Sequence, residues 1–317
     1  MRGQHYIDRI HAQTLRRLRD SAPSYTRQRE QLARVRRASK DNGARDPVFD
    51  INGKANSQQW AEDLGVRTAR ILQLVDSIES VPWETLPERF VIKPDRGVSG
   101  NGVYLLRRSG DAFVDARSGA RMTVSDLTSR LRRLSAAGTI STGLVVEEMV
   151  LDPANPDGPP VDWKVVTFFG RIGLIFGKRA QPGARAKTRW FDEDWNDVGR
   201  AAHGPAWRDP SIRPPKHAEE MLQLASRISA CVPTPHLRVD LYEDATGPVF
   251  GEITPQPGGP VAYRRDVDVR LGAMWEEAQG RLMVRAARAG ELTPATSRLP
   301  MSVTRRPGSE HELLTTD

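Results

Sequence analysis

Residues Leu237 to Pro260 read LRVDLYEDATGPVFGEITPQPGGP, and this stretch decides the fold. Leu237, Val239 and Leu241 alternate with Arg238, Asp240 and Tyr242, so the period-two rule puts the polar set on one face of a strand. A turn at 244–248 returns the chain as a second strand, Val249 to Ile253. Pairing across that turn brings Glu252 beside Asp240, a hard, oxygen-rich pair with Arg238 on the same face. Two such acids make a candidate magnesium site, and magnesium beside an arginine points to phosphate. A surface ladder of ion pairs on a hairpin explains the same residues.

Three further segments supply groups that a nucleotide needs. Phe90 to Tyr104, FVIKPDRGVSGNGVY, reads as a strand ending in Lys93-Pro94, a loop with Gly97, Gly100 and Gly102, and a second strand from Val103. Glycines let backbone N–H groups approach an anion, and Lys93 adds a point charge. No Gly-Lys-Ser/Thr ends the loop, so it is neither a P-loop nor a dinucleotide fingerprint; an ordinary hairpin turn would look similar. Gly143 to Val150, GLVVEEMV, reads as a strand ending in Glu147 and Glu148, which point to opposite faces; a strand with a solvated end is the bland alternative. Val161 to Lys178 reads as two strands about a turn at Gly170-Arg171, with Asp162, Lys164 and Lys178 polar in an apolar context.

The chain has seven lysines against forty arginines. Three of those lysines, Lys93, Lys164 and Lys178, sit on these strands. Where arginine is the default surface cation, a strand lysine suggests a point charge chosen for shape, although any one of them could snorkel from a sheet edge.

In this order the parts resemble the ATP-grasp superfamily: a strand with Lys-Pro, a glycine-rich loop, a strand with paired glutamates, Asp-x-Lys, Arg-Val-Asp, and Gly-Glu-Ile-Thr. Within it the chain is most similar to the teichuronopeptide-biosynthesis (TupA-like) branch, which also carries a Trp/Asp segment, here Trp190 to Trp195. The resemblance spans roughly Lys54 to Gly280. It implies an α+β ATP-grasp fold of two lobes clasping ATP. It also implies that Lys93 and Lys164 lie on the phosphate and adenine side, and that the loop of Gly97, Ser99, Gly100 and Gly102 closes over the triphosphate. Glu147 and Glu148 would lie at the adenine hinge, Asp240 and Glu252 would hold Mg2+, and Arg238 would stabilise charge on the transferred phosphoryl group or acylphosphate. Lys178 and Arg179 would extend the phosphate clamp. Thr254 stands where many members carry a metal-binding Asn. A hydroxyl is a poorer magnesium ligand than an amide oxygen, and the TupA-like branch also has Thr there.

The activity so implied is an ATP- and Mg2+-dependent carboxylate–amine ligase working through an acylphosphate, in cell-envelope polymer or specialised-metabolite biosynthesis, with a small-molecule or polymer carboxylate and an amine acceptor. A kinase on the same scaffold, phosphorylating a hydroxyl, and a non-catalytic nucleotide- or polyanion-binding protein are the alternatives. Lys93, Lys164, Arg238, Asp240 and Glu252 together speak against the last, since a dead scaffold has no need to hold such charges together.

Composition bounds the rest. A chain of 317 residues, 38% hydrophobic, has a full core and a size prior of about two domains. No apolar stretch reaches the ~18 residues of a membrane span, and the amino terminus lacks an apolar secretory core. One cysteine, Cys231, excludes an internal disulfide and fits a reducing cytoplasm. Residues 1–45 carry twelve Arg/Lys against four Asp/Glu, so the basicity is concentrated there. Ile7, Ile10, Leu15 and Leu18, then Leu32 and Val35, predict two short amphipathic helices. They either contact a polyanion or dock on the core by their apolar stripe. The expected organisation is a basic helical arm (1–46), an N-terminal lobe (47–92), a small ATP-grasp lobe with the glycine-rich loop (93–150), a large lobe with the metal site (151–291) and a disordered tail (292–317). The segments 181–197 and 256–265 read as substrate loops whose arginines, Arg185, Arg189, Arg264 and Arg265, suggest an anionic substrate.

Overall fold

The computed structural model describes residues 21–43, 46–49, 51, 53–97, 100–181, 184–199, 208–256 and 263–290. The first predicted helix, Ser99, most of the segment after Gln256, and the tail fall outside these residues. The architecture is α+β, with two antiparallel sheets.

The first sheet has six strands: β1 (Ile71–Val75), β2 (Arg89–Pro94), β3 (Tyr104–Ser109), β4 (Ala112–Asp115), β5 (Arg121–Met122) and β6 (Leu144–Glu148), ordered β1-β6-β2-β3-β4-β5. Alternation along β2 sends Phe90 and Ile92 into a core with Leu106, Phe113, Leu144 and Val146. Helix α3 (Val124–Ala136) closes that core with Leu127 and Leu131, and is started by a capping box in which Thr123 and Asp126 satisfy each other's backbone N–H groups. The opposite face of β2 and β6 carries Val91, Lys93, Val145 and Glu147, since Val91 pairs with Glu147 and Lys93 with Val145. Residue 93 therefore lies inside a sheet that begins at β1.

The second sheet is β11-β10-β7-β8-β9, formed by β7 (Asp162–Phe168), β8 (Arg171–Gln181), β9 (Ala184–Phe191), β10 (Leu237–Asp244) and β11 (Gly247–Thr254). The segment read as a loop from Gln181 is instead largely strand β9, because Trp190 and Phe191 have core places to fill: Trp190 stacks on Phe176 at 4.1 Å, and Phe191 lies against Trp163. The turn between β7 and β8 sits at Phe169-Gly170, both with positive φ (42° and 88°), one residue earlier than Gly170-Arg171.

Two helices share this sheet's faces unequally. Helix α4 (Ala218–Cys231) covers one face with Met221, Ala225 and Ile228 against Trp163, Val165, Val239 and Leu241. Helix α5 (Arg265–Arg288) covers only one end of the other face, where Leu271 and Trp275 pack on Val166, Phe168 and Leu174. The remainder of that face, with Asp162, Lys164, Asp240 and Glu252, is left for a site.

The N-terminal helices tie these parts together. Helix α2 (Lys54–Asp63) buries Ser57, Gln58 and Ala61, and the chain after it runs along β11, where Phe250 N donates to Arg67 O at 2.8 Å. The Arg67 guanidinium then clamps the β10–β11 turn through Asp244 (2.7 and 2.9 Å) and Gly247 O (2.7 Å). Helix α1 (Tyr25–Asp41), part of the expected arm, is docked on the core: Tyr25 is buried, its hydroxyl meets His236 Nε2 at 2.8 Å, and Asp268 of α5 accepts from Ser24 Oγ, Thr26 N and Thr26 Oγ1. A Cβ on Gly272 would stand 2.4 Å from Ser24 N, so glycine is required where the two helices touch.

Two predictions follow from this docking. Gly272→Ala, which helix propensity alone would make stabilising by about 1 kcal/mol, should instead destabilise by roughly 1–3 kcal/mol in chemical denaturation. Burial, then Arg29, Arg36 and Arg238, holds His236 down at a pKa of about 3. Below pH ~6.5 the unfolded chain takes up a proton that the folded protein refuses. Stability is complete above that pH and declines toward pH 3, with a slope approaching ~1.4 kcal/mol per pH unit. The wild-type minus His236→Gln difference in unfolding free energy, measured from pH 7 to 4.5, should show that slope.

Candidate active site

Two charged clusters line the gap between the sheets. On the first sheet, Lys93 Nζ lies 2.6 Å from Glu147 Oε2, both side chains about nine-tenths buried, and Gln58 Nε2 of α2 donates to the same oxygen at 2.7 Å. Glu148, one residue on, points outward and pairs with Arg70. The two adjacent glutamates thus divide as strand alternation requires, and Glu147 is the one that belongs to the cluster.

On the second sheet the central carboxylate is Asp240, 2% exposed. Arg238 grips it as a fork, Nε to Oδ1 and Nη2 to Oδ2 at 2.6 Å each, and Lys164 Nζ, opposite it on β7, donates to Oδ2. Lys164 also pairs with Asp162 Oδ2 at 2.9 Å. Burial disfavours the Asp240 charge, but Arg238 and Lys164 outweigh it and hold the carboxyl below the usual range. Burial likewise opposes the Lys164 ammonium, which Asp162 and Asp240 raise on balance. Glu252 sits directly opposite Asp240 in register, its side chain 40% exposed and 3.8 Å from Arg238 Nη2. Desolvation and then Asp240 push its carboxyl upward. Thr254 Oγ1 accepts from Arg238 Nη2 at 2.9 Å.

This register depends on a bulge. Pairing shifts between Asp240 and Leu241, leaving Gly251 as the extra residue, so Phe250 and Ile253 both enter the core while Glu252 faces the site. A Cβ on Gly251 would lie 2.9 Å from the Tyr242 ring, which explains the glycine. Tyr242 stays a protonated phenol: burial raises it first, then Asp162, Glu252, Asp240 and Glu147.

Lys178 pairs in register with Asp162 and so shares the site face; desolvation and the cations Lys164, Arg117 and Arg238 lower its ammonium. Arg179 is a correction to the expected phosphate clamp. As the next residue on β8 it faces the other side, where Nη1 reaches Ser211 Oγ at 3.0 Å and Asp209 Oδ2 at 3.6 Å. Arg189, expected on a substrate loop, is likewise engaged by Asp197 and by the Pro210 and Ile212 carbonyls. In the glycine loop Gly100 and Gly102 have φ of 72° and 70°, and a Cβ at Gly102 would strike Pro94 at 2.8 Å.

Two contributors, Lys54 and Arg117, escaped the sequence reading, and Asp162 was read there without a role. Lys54, the first residue of α2, donates Nζ to Pro94 O at 2.9 Å. Burial lowers its pKa, and it feels Glu252 on one sheet and Lys93 and Glu147 on the other. Only its rarity as a lysine could have flagged it. Arg117 joins the glycine loop through the Gly100 and Val103 carbonyls, at 3.2 and 2.9 Å. Asp162 Oδ1 is buried with no hydrogen-bond partner among the described residues.

Among the described residues no group of three or more His, Cys, Asp and Glu is arranged to hold a metal ion by itself. Asp240 and Glu252, face to face, instead fit the manner of Mg2+, which takes one or two carboxylates and completes its shell with water and substrate phosphates.

A model of the TupA-like ATP-grasp family matches residues 36–276. The chain belongs to the TupA-like ATP-grasp family. No curated protein matches it in sequence. Solved structures similar to it include D-alanine–D-alanine ligase from Bacillus anthracis complexed with ATP, at 14% identity and a TM-score of 0.48 over 82% of this chain and 76% of that one. D-alanyl-alanine synthetase A from Vibrio cholerae O1 biovar eltor is similar at 14% identity and 0.48 over 79% and 72%. The ATP-grasp ligase PsnB complexed with minimal precursor matches at 14% identity and 0.42 over 79% and 69%. No helix among the described residues is long and apolar enough to cross a membrane.

In this TupA-like ATP-grasp protein, Lys93→Met should leave the buried Glu147 carboxylate without its counter-charge, although Gln58 still donates to it, at a cost of about 3–5 kcal/mol. Lys93→Met/Glu147→Gln should recover much of that loss in denaturant titrations.

Proposed function

We propose that the protein is an ATP- and Mg2+-dependent carboxylate–amine ligase acting through an acylphosphate, in the assembly of a cell-envelope polymer or specialised metabolite. The observation that carries this reading is the convergence of Lys164, Arg238, Asp240 and Glu252 on one open sheet face, opposite Lys93 and Glu147, within a chain of the ATP-grasp family.

Asp240 and Glu252 would hold Mg2+, which when bound neutralises phosphate charge. Lys93, Lys164, Lys54 and Lys178 are the cations within reach of a triphosphate between the sheets, and positioned cations are most of what phosphoryl transfer requires. A substrate carboxylate oxygen attacks the γ-phosphorus as the bond to the β-phosphate oxygen breaks, releasing ADP. An amine then attacks the acyl carbon, phosphate leaves with the bonding electron pair, and the nitrogen loses a proton. Arg238, between Asp240 and Thr254, can stabilise the oxygen charge of either step. The glycine loop, which Arg117 tethers at Gly100 and Val103, would exclude water from the acylphosphate.

The test is ADP release from MgATP over a panel of amino acids and sugar acids, with hydroxylamine to trap an acylphosphate. A hydroxamate with one carboxylate is the expected result; ADP without hydroxamate would replace the ligase with a hydroxyl-directed kinase. Glu252→Gln should lower turnover by at least about 100-fold with an unchanged unfolding midpoint, since this side chain is half-exposed. Asp240→Asn is the poorer probe, because it strands Arg238 and Lys164 without their shared counter-charge.

A further inference from the structure

The β10–β11 hairpin that carries Arg238, Asp240, Glu252 and Thr254 is held from outside at both ends. At the turn the holder is Arg67. At the open end it is helix α1, whose residues Tyr25, Arg29, Leu32 and Arg36 recur at helical spacing on one face. Tyr25 bonds His236, two residues before Arg238. Arg36, about 16 Å further along the helix, donates Nη1 to Pro255 O at 3.0 Å, and Pro255 directly follows Thr254. Arg238 and Thr254 are themselves partners in register, so α1 grips the chain on either side of that pair.

The Arg36 grip is built to be rigid. Its side chain is 7% exposed, Nε is fixed by Asp46 Oδ2 at 2.8 Å, and the guanidinium lies 4.9 Å over the Phe49 ring. A planar fork that serves a carboxylate with one edge and a carbonyl with another is specific to arginine. The second helix of the arm, expected either to contact a polyanion or to dock on the core, thus places one of its arginines beneath the strand end that leads into the segment after Gln256.

We propose that Arg36 is a positioning residue for the reaction: by fixing Pro255 it sets where β11 ends, and so aligns Arg238 and Thr254 with the carboxylate substrate. The inference rests on the ligase reading for its kinetic consequence, but the clamp can be tested independently. The full-length protein, Arg36→Met, Arg36→Lys and, as a control, Arg37→Met, are compared by hydrogen exchange. A second variant, Asp46→Asn, keeps Arg36 but frees its Nε, and serves if Arg36→Met does not fold.

In Arg36→Met the amides of peptides covering 236–239 and 250–256 should exchange about ten times faster, with β7–β8 peptides and the MgATP dissociation constant unchanged. With the carboxylate identified by hydroxamate trapping, kcat/KM for that carboxylate should fall about 10- to 100-fold while KM for ATP holds. Arg36→Lys should not restore it, and Arg37→Met should behave as wild type. Unchanged exchange at 250–256, an unchanged kcat/KM for the carboxylate, or a parallel loss of ATP affinity and thermal stability would each overturn the proposal. A wild-type protein that forms no hydroxamate with any carboxylate would overturn the ligase reading and, with it, the kinetic role of Arg36, whereas the exchange result alone decides whether the clamp exists.

Discussion

The buried charge of Asp240 is the constraint on which the site depends. Removing a carboxylate from water costs several kcal/mol even after relaxation, and only close, well-oriented cations return it. Arg238 does so from two residues away on the same strand, and Lys164 from the neighbouring strand. Both require β10 to lie between β7 and β11 in one register. The Gly251 bulge is part of the same requirement, because in a regular strand Phe250 and Glu252, two residues apart, would share a face and either the core or the site would lose its member. Charge and packing thus select one alignment.

That alignment is supported by groups from outside the sheet. Helix α4 packs on one face together with residues such as Ala61, Val66 and Ile212, α5 stops short on the other, and the uncovered end becomes the site. The first sheet supplies Lys93 and Glu147 to the opposite side of the gap. Helix α2 and the chain after it join the two, since Gln58 reaches Glu147 while Arg67 holds the far turn of the hairpin.

The two cationic residue types divide the labour. Arginines such as Arg36, Arg67 and Arg189 fork between carboxylates and carbonyls in the scaffold, and Arg179 between a carboxylate and a hydroxyl. Four of the seven lysines, Lys54, Lys93, Lys164 and Lys178, gather around the gap. A guanidinium suits fixed, planar, multidentate bonding, whereas an ammonium is a compact charge on a flexible stem that can follow a ligand. Arg238 is the exception, an arginine serving both the scaffold and the site.

Short-range chemistry made much of this legible. Alternation assigned Arg238 and Asp240 to one face and separated Glu147 from Glu148, and pairing across the hairpin brought Glu252 beside Asp240, because strand pleat and tight turns are local properties. The same rule, applied to Lys178 and Arg179, would have separated that pair. What lay beyond the sequence was set by distant packing. Lys54 enters the site only because α2 is wedged between sheets, β9 forms because Trp190 and Phe191 have a core to fill, and helix α1 is docked because Gly272 and Asp268, some 240 residues away, receive its first turn. The sequence by itself determined which side chains could carry the chemistry, since residue type and strand period are written in it. Only the tertiary structure decided which of them meet, because buried charges and close helix contacts are satisfied by partners that no local pattern reveals.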